Sequence, residues 1–217
     1  MSTPQQIAEA ILDVIGNKKK NNRDVFFYSV GTTFINTTTD IAYLGIDFFD
    51  TENRGRNQQE RIRMFARMKR GVTKFDLTKI IEIIIDEYTY RLSEDQLSTV
   101  LAKKAGEKVG GYITKTVLIT EVASLFTSKF LTNLVFGAGL SSVFSAGSSV
   151  SRAIYSSEEL RNRFPSIYNR LRMSGDLDLF FFLVEAQTKP FLQAIELKNR
   201  NPAAWNEVFE LVNKGLQ

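Results

Sequence analysis

Three residues of the sequence have the side-chain types that metal-dependent hydrolysis requires: Asp178, Glu196 and Lys198. Two carboxylates and a lysine form an arrangement with which some nucleases hold a divalent metal and activate water. Such a triplet arises easily by chance, and Glu196 and Lys198 lie at the end of a predicted helix rather than on a strand. A metal-dependent nuclease is therefore a minor alternative.

The composition excludes most other catalytic chemistry. The chain has no cysteine and no histidine, so disulfides, thiolate zinc sites and a cysteine nucleophile are excluded. The most common general base and the usual nitrogen ligand of transition metals are also missing. Gly106 with Gly110 and Gly111 lacks the lysine of a phosphate-binding loop, and Gly137 with Gly139 lacks the third glycine of a dinucleotide fingerprint. We therefore expect a protein that is not an enzyme, has no cofactor and no metal, and shows no evident small-molecule substrate.

The elements that position these residues are predicted to be helices. Capping boxes are predicted at Thr3 with Gln6, at Ser93 with Gln96, and at Ser156 with Glu159. Apolar residues at helical spacing follow them, most regularly over 76–92 and in a last helix that begins at Pro202 and ends before Gly215. Residues 25–50 are ambiguous, and we favour helix there. The predicted fold class is mainly α, a compact helical bundle, with residues 1–217 forming a single domain.

Residues 58–70 predict a basic helix that turns Ile62, Phe65 and Ala66 inward. Its cations are interpreted as a basic surface that attracts lipid headgroups, or as the solvated face of an ordinary surface helix; they are Arg61, Arg63, Arg67, Lys69 and Arg70. A net charge of +4 fits an anionic partner without identifying one. A nucleic-acid partner is not favoured, because no aromatic residues interleave with the basic ones.

The second half of the chain contains a long segment of low charge. Residues 130–151 hold no charged side chain, although 24% of the whole chain is charged. We predict a Gly/Ser-rich central helical hairpin within 109–151, formed by residues 112–128 and 130–151. Small residues are assigned to close helix packing and bulky ones to lipid or core contact; the two groups together are Phe136, Gly137, Gly139, Leu140, Ser141, Val143, Phe144, Ser145 and Gly147.

Three interpretations of this hairpin remain open. It inserts into a bilayer, it is the buried core of a helical bundle, or its small-residue face binds another protein and allows oligomerisation. The serines make spontaneous insertion marginal, which fits a segment that is first buried and later inserted. The chain resembles pore-forming bacteriocins of the colicin type in four respects. These are its helical architecture, its charge-poor hairpin, its basic amphipathic helices and the lack of a recognisable set of catalytic residues.

That resemblance implies a membrane-active helical protein, an antagonistic bacterial effector that inserts the hairpin and depolarises a target membrane. The alternative is a helical protein-interaction module, such as an immunity, adaptor or inhibitor protein, with the same segment as buried core. The partner is accordingly a lipid membrane or a protein. Residues 1–15 contain no secretory signal, so we expect a soluble protein in the producing cell that associates conditionally with a target membrane.

Overall fold

The computed structural model describes residues 2–15, 43, 45–107, 115–116, 119–120, 123 and 147–215. Within these ranges every regular element is helical and no residue lies in a β-strand. The predicted fold class, a mainly α protein of packed helices, is confirmed. The predicted hairpin over 109–151 lies outside the described residues, apart from 115–116, 119–120, 123 and 147–151.

Eight α-helices and one 3₁₀ helix are bounded among the described residues. Their bounds are α1 Pro4–Ile15, α2 Arg54–Lys69, α3 Lys74–Tyr90, α4 Glu94–Glu107, α5 Gly147–Arg163, α6 Pro165–Met173, a 3₁₀ helix Leu177–Leu183, α7 Glu185–Arg200 and α8 Pro202–Gly215. Residues 45–49 are also helical, which agrees with the helix favoured there; residues 25–42 lie outside the described residues.

The chain divides into two compact units. The first unit comprises Met1–Lys19, Ile81–Phe126 and Gln187–Gln217, and the second comprises Lys20–Ile80 and Thr127–Ala186. Helix α3 belongs to the second unit up to Ile80 and to the first unit from Ile81. The single domain over residues 1–217 stays a prediction.

The core of the first unit contains aromatic and aliphatic side chains at helical spacing. Helix α1 packs against α8. Tyr88 of α3 meets the Phe191 ring edge-on at 5.4 Å and lies tilted against Trp205, also at 5.4 Å between ring centroids. The predicted apolar faces of α1, α3 and α8 are confirmed as buried in this unit at Ile7, Ile11, Val14, Ile81, Ile84, Ile85, Tyr88, Trp205, Val208, Phe209 and Val212, whereas Ile15 is half-buried. Leu77 and Ile80, in the part of α3 that belongs to the second unit, are buried as well.

The core of the second unit forms where α5, α6 and the 3₁₀ helix pack together. All seven side chains of the 3₁₀ helix are buried, including the carboxylate of Asp178. Helix α5 ends at Arg163, and Pro165 occupies the first turn of α6, where its missing N–H is not needed. The helix is interrupted between Arg163 and Pro165, and α6 packs against α5.

Two of the three predicted capping boxes are confirmed. The Gln6 N–H donates to Thr3 Oγ1 at 3.2 Å, and the Gln96 N–H donates to Ser93 Oγ at 3.2 Å. The third prediction is wrong, because α5 begins at Gly147 and Ser156 lies inside it. Its hydroxyl instead donates to Glu185 Oε2 at 3.0 Å, so a carboxylate outside the helix holds the side chain that resembled a cap.

Candidate functional site

Helix α2 is oriented opposite to the prediction. Ile62 is 63% exposed, Phe65 is 53% exposed, and Ala66 is also exposed, whereas Met64 is fully buried. The expectation that these three residues face inward is wrong. The helix turns its apolar stripe outward because its arginines are drawn toward buried and half-buried carboxylates.

Arg63 is the centre of the inward-facing charges. Its guanidinium donates to Asp178 through two hydrogen bonds of 3.0 and 2.5 Å, to Asp176 at 3.0 Å, and to Glu60 through Nε at 2.9 Å. Ser157 Oγ completes the shell by donating to Asp178 Oδ2 at 2.8 Å. Burial lowers the pKa of Arg63, but the Asp178 and Glu60 carboxylates outweigh it, and the net pKa lies above the usual value. This guanidinium stays charged and bound to the core.

Arg67, one turn further along α2, joins two loops. Its Nε donates to the Gly175 carbonyl at 2.9 Å and its Nη2 donates to Asp76 Oδ1 at 2.6 Å, while Nη1 donates to the Gly71 carbonyl. Both glycines have positive φ, 87° at Gly71 and 97° at Gly175, and glycine adopts this backbone without a steric penalty. Burial would raise the pKa of Asp76, but hydrogen bonds from Thr73 and the Arg67 charge hold it below its usual value. Arg67 is thus a structural residue that fixes the end of α2.

A second polar cluster joins residues 45–50 to α2 and α5. The Tyr155 hydroxyl donates to Asp50 Oδ2 at 2.8 Å and accepts a hydrogen bond from Asn57 Nδ2 at 3.1 Å. Asn57 Nδ2 also donates to Asp47 Oδ1 at 3.1 Å, and Ser151 Oγ donates to Asp47 Oδ2 at 2.9 Å. Tyr155 and Ser151 are about a hundred positions from the residues of 45–57 that they bind, so no local spacing points to these contacts.

The pKa values in this cluster follow its hydrogen bonds. Burial, together with the neighbouring Asp50 carboxylate, raises the pKa of Tyr155 to about 12. The Tyr155 hydroxyl and the Asn53 side chain lower the pKa of Asp50, because both donate to its ionised form. The hydroxyl stays protonated and the carboxylate ionised at neutral pH, which is the combination that the hydrogen bond requires.

The five residues of the predicted basic surface differ in their environment. Arg63 and Arg67 are largely buried in ion pairs. Arg61 is 43% exposed and pairs with Asp47, and Arg70 is exposed and lies 3.4 Å from Asp176. Lys69 is exposed. The attraction of headgroups by this helix stays a prediction, and the cations able to contribute to it are those on the outside.

Most residues assigned to the hairpin lie outside the described residues: Phe136, Gly137, Gly139, Leu140, Ser141, Val143, Phe144 and Ser145. Gly147 is the first residue of α5, and Ser149, Val150 and Ser151 after it are buried. In the described part of the chain, no helix combines the length and apolar character needed to cross a bilayer.

The residues of the nuclease alternative each have a structural partner. Asp178 is bound by Arg63, Glu196 pairs with Arg200 at 2.8 Å, and Lys198 donates to the Arg91 carbonyl. Burial and the nearby Arg91 charge lower the pKa of Lys198. No group of three or more acidic side chains suited to a metal ion is found among the described residues.

Comparison with protein-family models, with curated proteins and with solved structures finds no match to this chain.

Proposed function

We propose that this chain is a membrane-active helical protein that attaches to anionic lipid surfaces through the outward face of α2. The observation that carries the proposal is the exposure of Ile62 and Phe65, which lie one turn apart on the same side of the helix. A helix of this type binds at the lipid interface by burying its apolar face at the level of the acyl chains while its cations meet the headgroups.

The charges on α2 support a negatively charged partner. Glu60 is the only acidic residue of the helix, and it is turned inward, where it pairs with Arg63 and lies 3.6 Å from Arg172. The exposed cations Arg54 and Lys69 are the first and last residues of α2. Each cation near an anionic bilayer contributes about 1 kcal/mol. The outward face is therefore apolar at its centre and positive at its ends.

Residues 45–49 add two exposed aromatic side chains to the same unit. Phe48 and Phe49 are exposed and pack edge to face, with ring centroids 5.2 Å apart. Asp47, which precedes Phe48 in the sequence, binds Arg61 and Asn57 and so connects this segment to α2. Large exposed apolar side chains beside cations are typical of membrane or partner contact.

The second step of the proposed function, after attachment, is insertion into the bilayer. Residues 112–151 enter the bilayer and depolarise it, as the resemblance to pore-forming bacteriocins implies. The absence of charge between Lys129 and Arg152 and the line of small residues support this step. Attachment by α2 comes first, because it needs no rearrangement of the core.

One observation favours the alternative, a helical protein-interaction module. Ser149, Val150 and Ser151 are buried within the second unit, as they would be if the charge-poor segment formed permanent core. In that case the face with Ile62 and Phe65 binds an acidic partner protein rather than lipid.

Flotation of the full chain with vesicles tests the attachment. We expect binding to vesicles that contain phosphatidylglycerol and little binding to phosphatidylcholine alone. Because full burial of each apolar side chain is worth about 1.5–3 kcal/mol, Ile62→Glu combined with Phe65→Glu is expected to weaken binding at least about tenfold. Both residues are exposed, so the fold is retained.

Met173→Glu combined with Phe75→Glu is the matched control, since it introduces the same two charges at two other exposed apolar side chains of the same unit. The proposal fails if anionic vesicles do not float the wild-type chain. Dye release and a potential-sensitive probe then measure the insertion step separately. If the protein floats with the vesicles but they neither leak nor depolarise, the insertion step is contradicted and the attachment step is retained.

A further inference from the structure

The carboxylate of Asp47 lies where three segments of the second unit meet. It belongs to the helical residues 45–49 and accepts hydrogen bonds from Asn57 on α2 at 3.1 Å and from Ser151 on α5 at 2.9 Å. The Arg61 guanidinium, also on α2, donates to the same oxygen as Ser151. One carboxylate therefore links the proposed docking helix to residue 151, the end of the charge-poor segment.

The partners of Asp47 differ in how accessible they are. Asp47 is only 12% exposed, and Ser149 and Ser151 are buried, but Arg61 is 43% exposed. Arg61 also lies one turn before Phe65 on the same side of α2, so docking of the outward face brings its guanidinium to headgroup level. Phosphate competes well with carboxylate for a guanidinium, because both accept two parallel N–H donors.

We propose that Asp47 couples lipid docking to the charge-poor segment: an anionic headgroup that takes Arg61 from Asp47 loosens the attachment of residues 147–151. The inference rests on the proposed function and concerns its regulation. Without its counter-charge, a largely buried carboxylate is poorly solvated and moves toward water. That movement breaks its hydrogen bond with Ser151, and the end of the segment opens locally.

Because the sequence contains no cysteine, the exposure of a single introduced thiol can be measured directly by chemical labelling. Ser149→Cys places a single thiol at a buried position two residues before Ser151, with little change in volume. Its rate of reaction with a maleimide is measured in the full chain, alone and with vesicles of phosphatidylcholine with or without phosphatidylglycerol. We expect slow labelling alone and with neutral vesicles, and labelling faster by about tenfold or more with anionic vesicles, as local opening exposes the thiol.

Adding Arg61→Gln to the Ser149→Cys variant removes the ion pair between Arg61 and Asp47 even when no lipid is present. The free protein should then label faster, and anionic vesicles should add less than about twofold, because the step they drive has already occurred. Arg161→Gln is the matched control; it removes an exposed arginine that pairs with Glu158 on α5 and should leave slow labelling and its acceleration unchanged.

Flotation in parallel separates the two proposals. If anionic vesicles float the protein but labelling remains as slow as in solution, the coupling is overturned and attachment stands. If the vesicles do not float it, attachment and its regulation by lipid both fail. Slow labelling of the free Arg61→Gln chain also overturns the coupling, whatever the vesicles do.

Discussion

Arg63 and Asp178 form a two-point ion pair in the core of the second unit, with Nη1 3.0 Å from Oδ1 and Nη2 2.5 Å from Oδ2. The Asp178 side chain is 0% exposed and that of Arg63 is 15% exposed. A buried carboxylate needs a counter-charge, and α2 supplies one here through this guanidinium. Since α2 must present Arg63 inward, its opposite face, with Ile62 and Phe65, is presented outward. The core charge thus determines which surface is available for a partner.

Replacing Arg63 with methionine is expected to destabilise the protein strongly. Arg63→Met leaves the Asp178 carboxylate buried without its cation, and breaking a buried pair by removing one partner costs about 3–5 kcal/mol. Urea denaturation followed by circular dichroism measures the change in the free energy of unfolding. Arg163→Met is the control, because Arg163 pairs with Glu159 on the surface of α5, where such a pair contributes about 0–1 kcal/mol. Equal losses in the two variants would contradict a structural role for the Arg63–Asp178 pair.

The sequence predicted the elements whose pattern is local. The apolar face of α8, with Trp205 and Phe209, and the capping box at Thr3 depend on residues at most a few turns apart, and both are confirmed. The orientation of α2 was predicted incorrectly, because apolar periodicity favours Ile62 and Phe65 as the inner face. The factor that outweighs it is the buried Asp178, which is 115 positions from Arg63 in sequence.

The polar cluster around Asp47 has no counterpart in any short motif. Ser151 contacts Asp47 across 104 positions, and Tyr155 contacts Asp50 across 105. In the sequence pattern Ser151 is only a polar residue within an apolar segment. In the structure its hydroxyl donates a hydrogen bond to the Asp47 carboxylate. Tertiary hydrogen bonds of this kind require the fold before they can be identified. The hairpin residues Phe136 to Ser145 lie outside the described residues, and their roles stay predictions.

The close approach of α1 and α8 predicts a steric effect at Gly215. A Cβ atom at this position would overlap Leu12 Cδ1 and lie 2.9 Å from its Cδ2. Gly215→Ala therefore forces the partly exposed Leu12 side chain to move, and we expect this variant to be less stable than the contrasting variant Gly55→Ala by about 0.5–1.5 kcal/mol, the cost of an off-rotamer side chain, measured by thermal and urea denaturation. Gly55→Ala on α2 provides the contrast, because nothing lies within 4 Å of its added Cβ. That variant should be neutral or more stable by up to about 1 kcal/mol, since alanine favours helix over glycine. A Gly215→Ala variant as stable as Gly55→Ala would mean that α1 and α8 are not packed this closely.

The hydrogen bond between Tyr155 and Asp50 predicts how stability depends on pH. The pKa of Asp50 in the folded protein is lowered from its ordinary value of 3.8, chiefly by the Tyr155 hydroxyl and then by Asn53. As the pH falls through this ordinary value, the unfolded chain therefore takes up a proton at Asp50 before the folded chain does. Protonation favours unfolding in that range, so the stabilisation is complete above pH 3.8 and is lost as the pH falls through the lower folded pKa.

Asp50→Asn isolates this contribution. The difference in the free energy of unfolding between wild type and Asp50→Asn should be constant from about pH 5 to pH 8 and should shrink below about pH 4, because only the ionised carboxylate is stabilised. Urea denaturation at several pH values measures it. Tyr155→Phe removes the principal donor and should reduce the same pH-dependent difference when Asp50→Asn is added to it. A difference that persists undiminished at pH values well below 3.8 would show that the Asp50 carboxylate does not carry the effect. Tyr155 keeps its proton up to its raised pKa of about 12, so its deprotonation does not contribute to the change in acid.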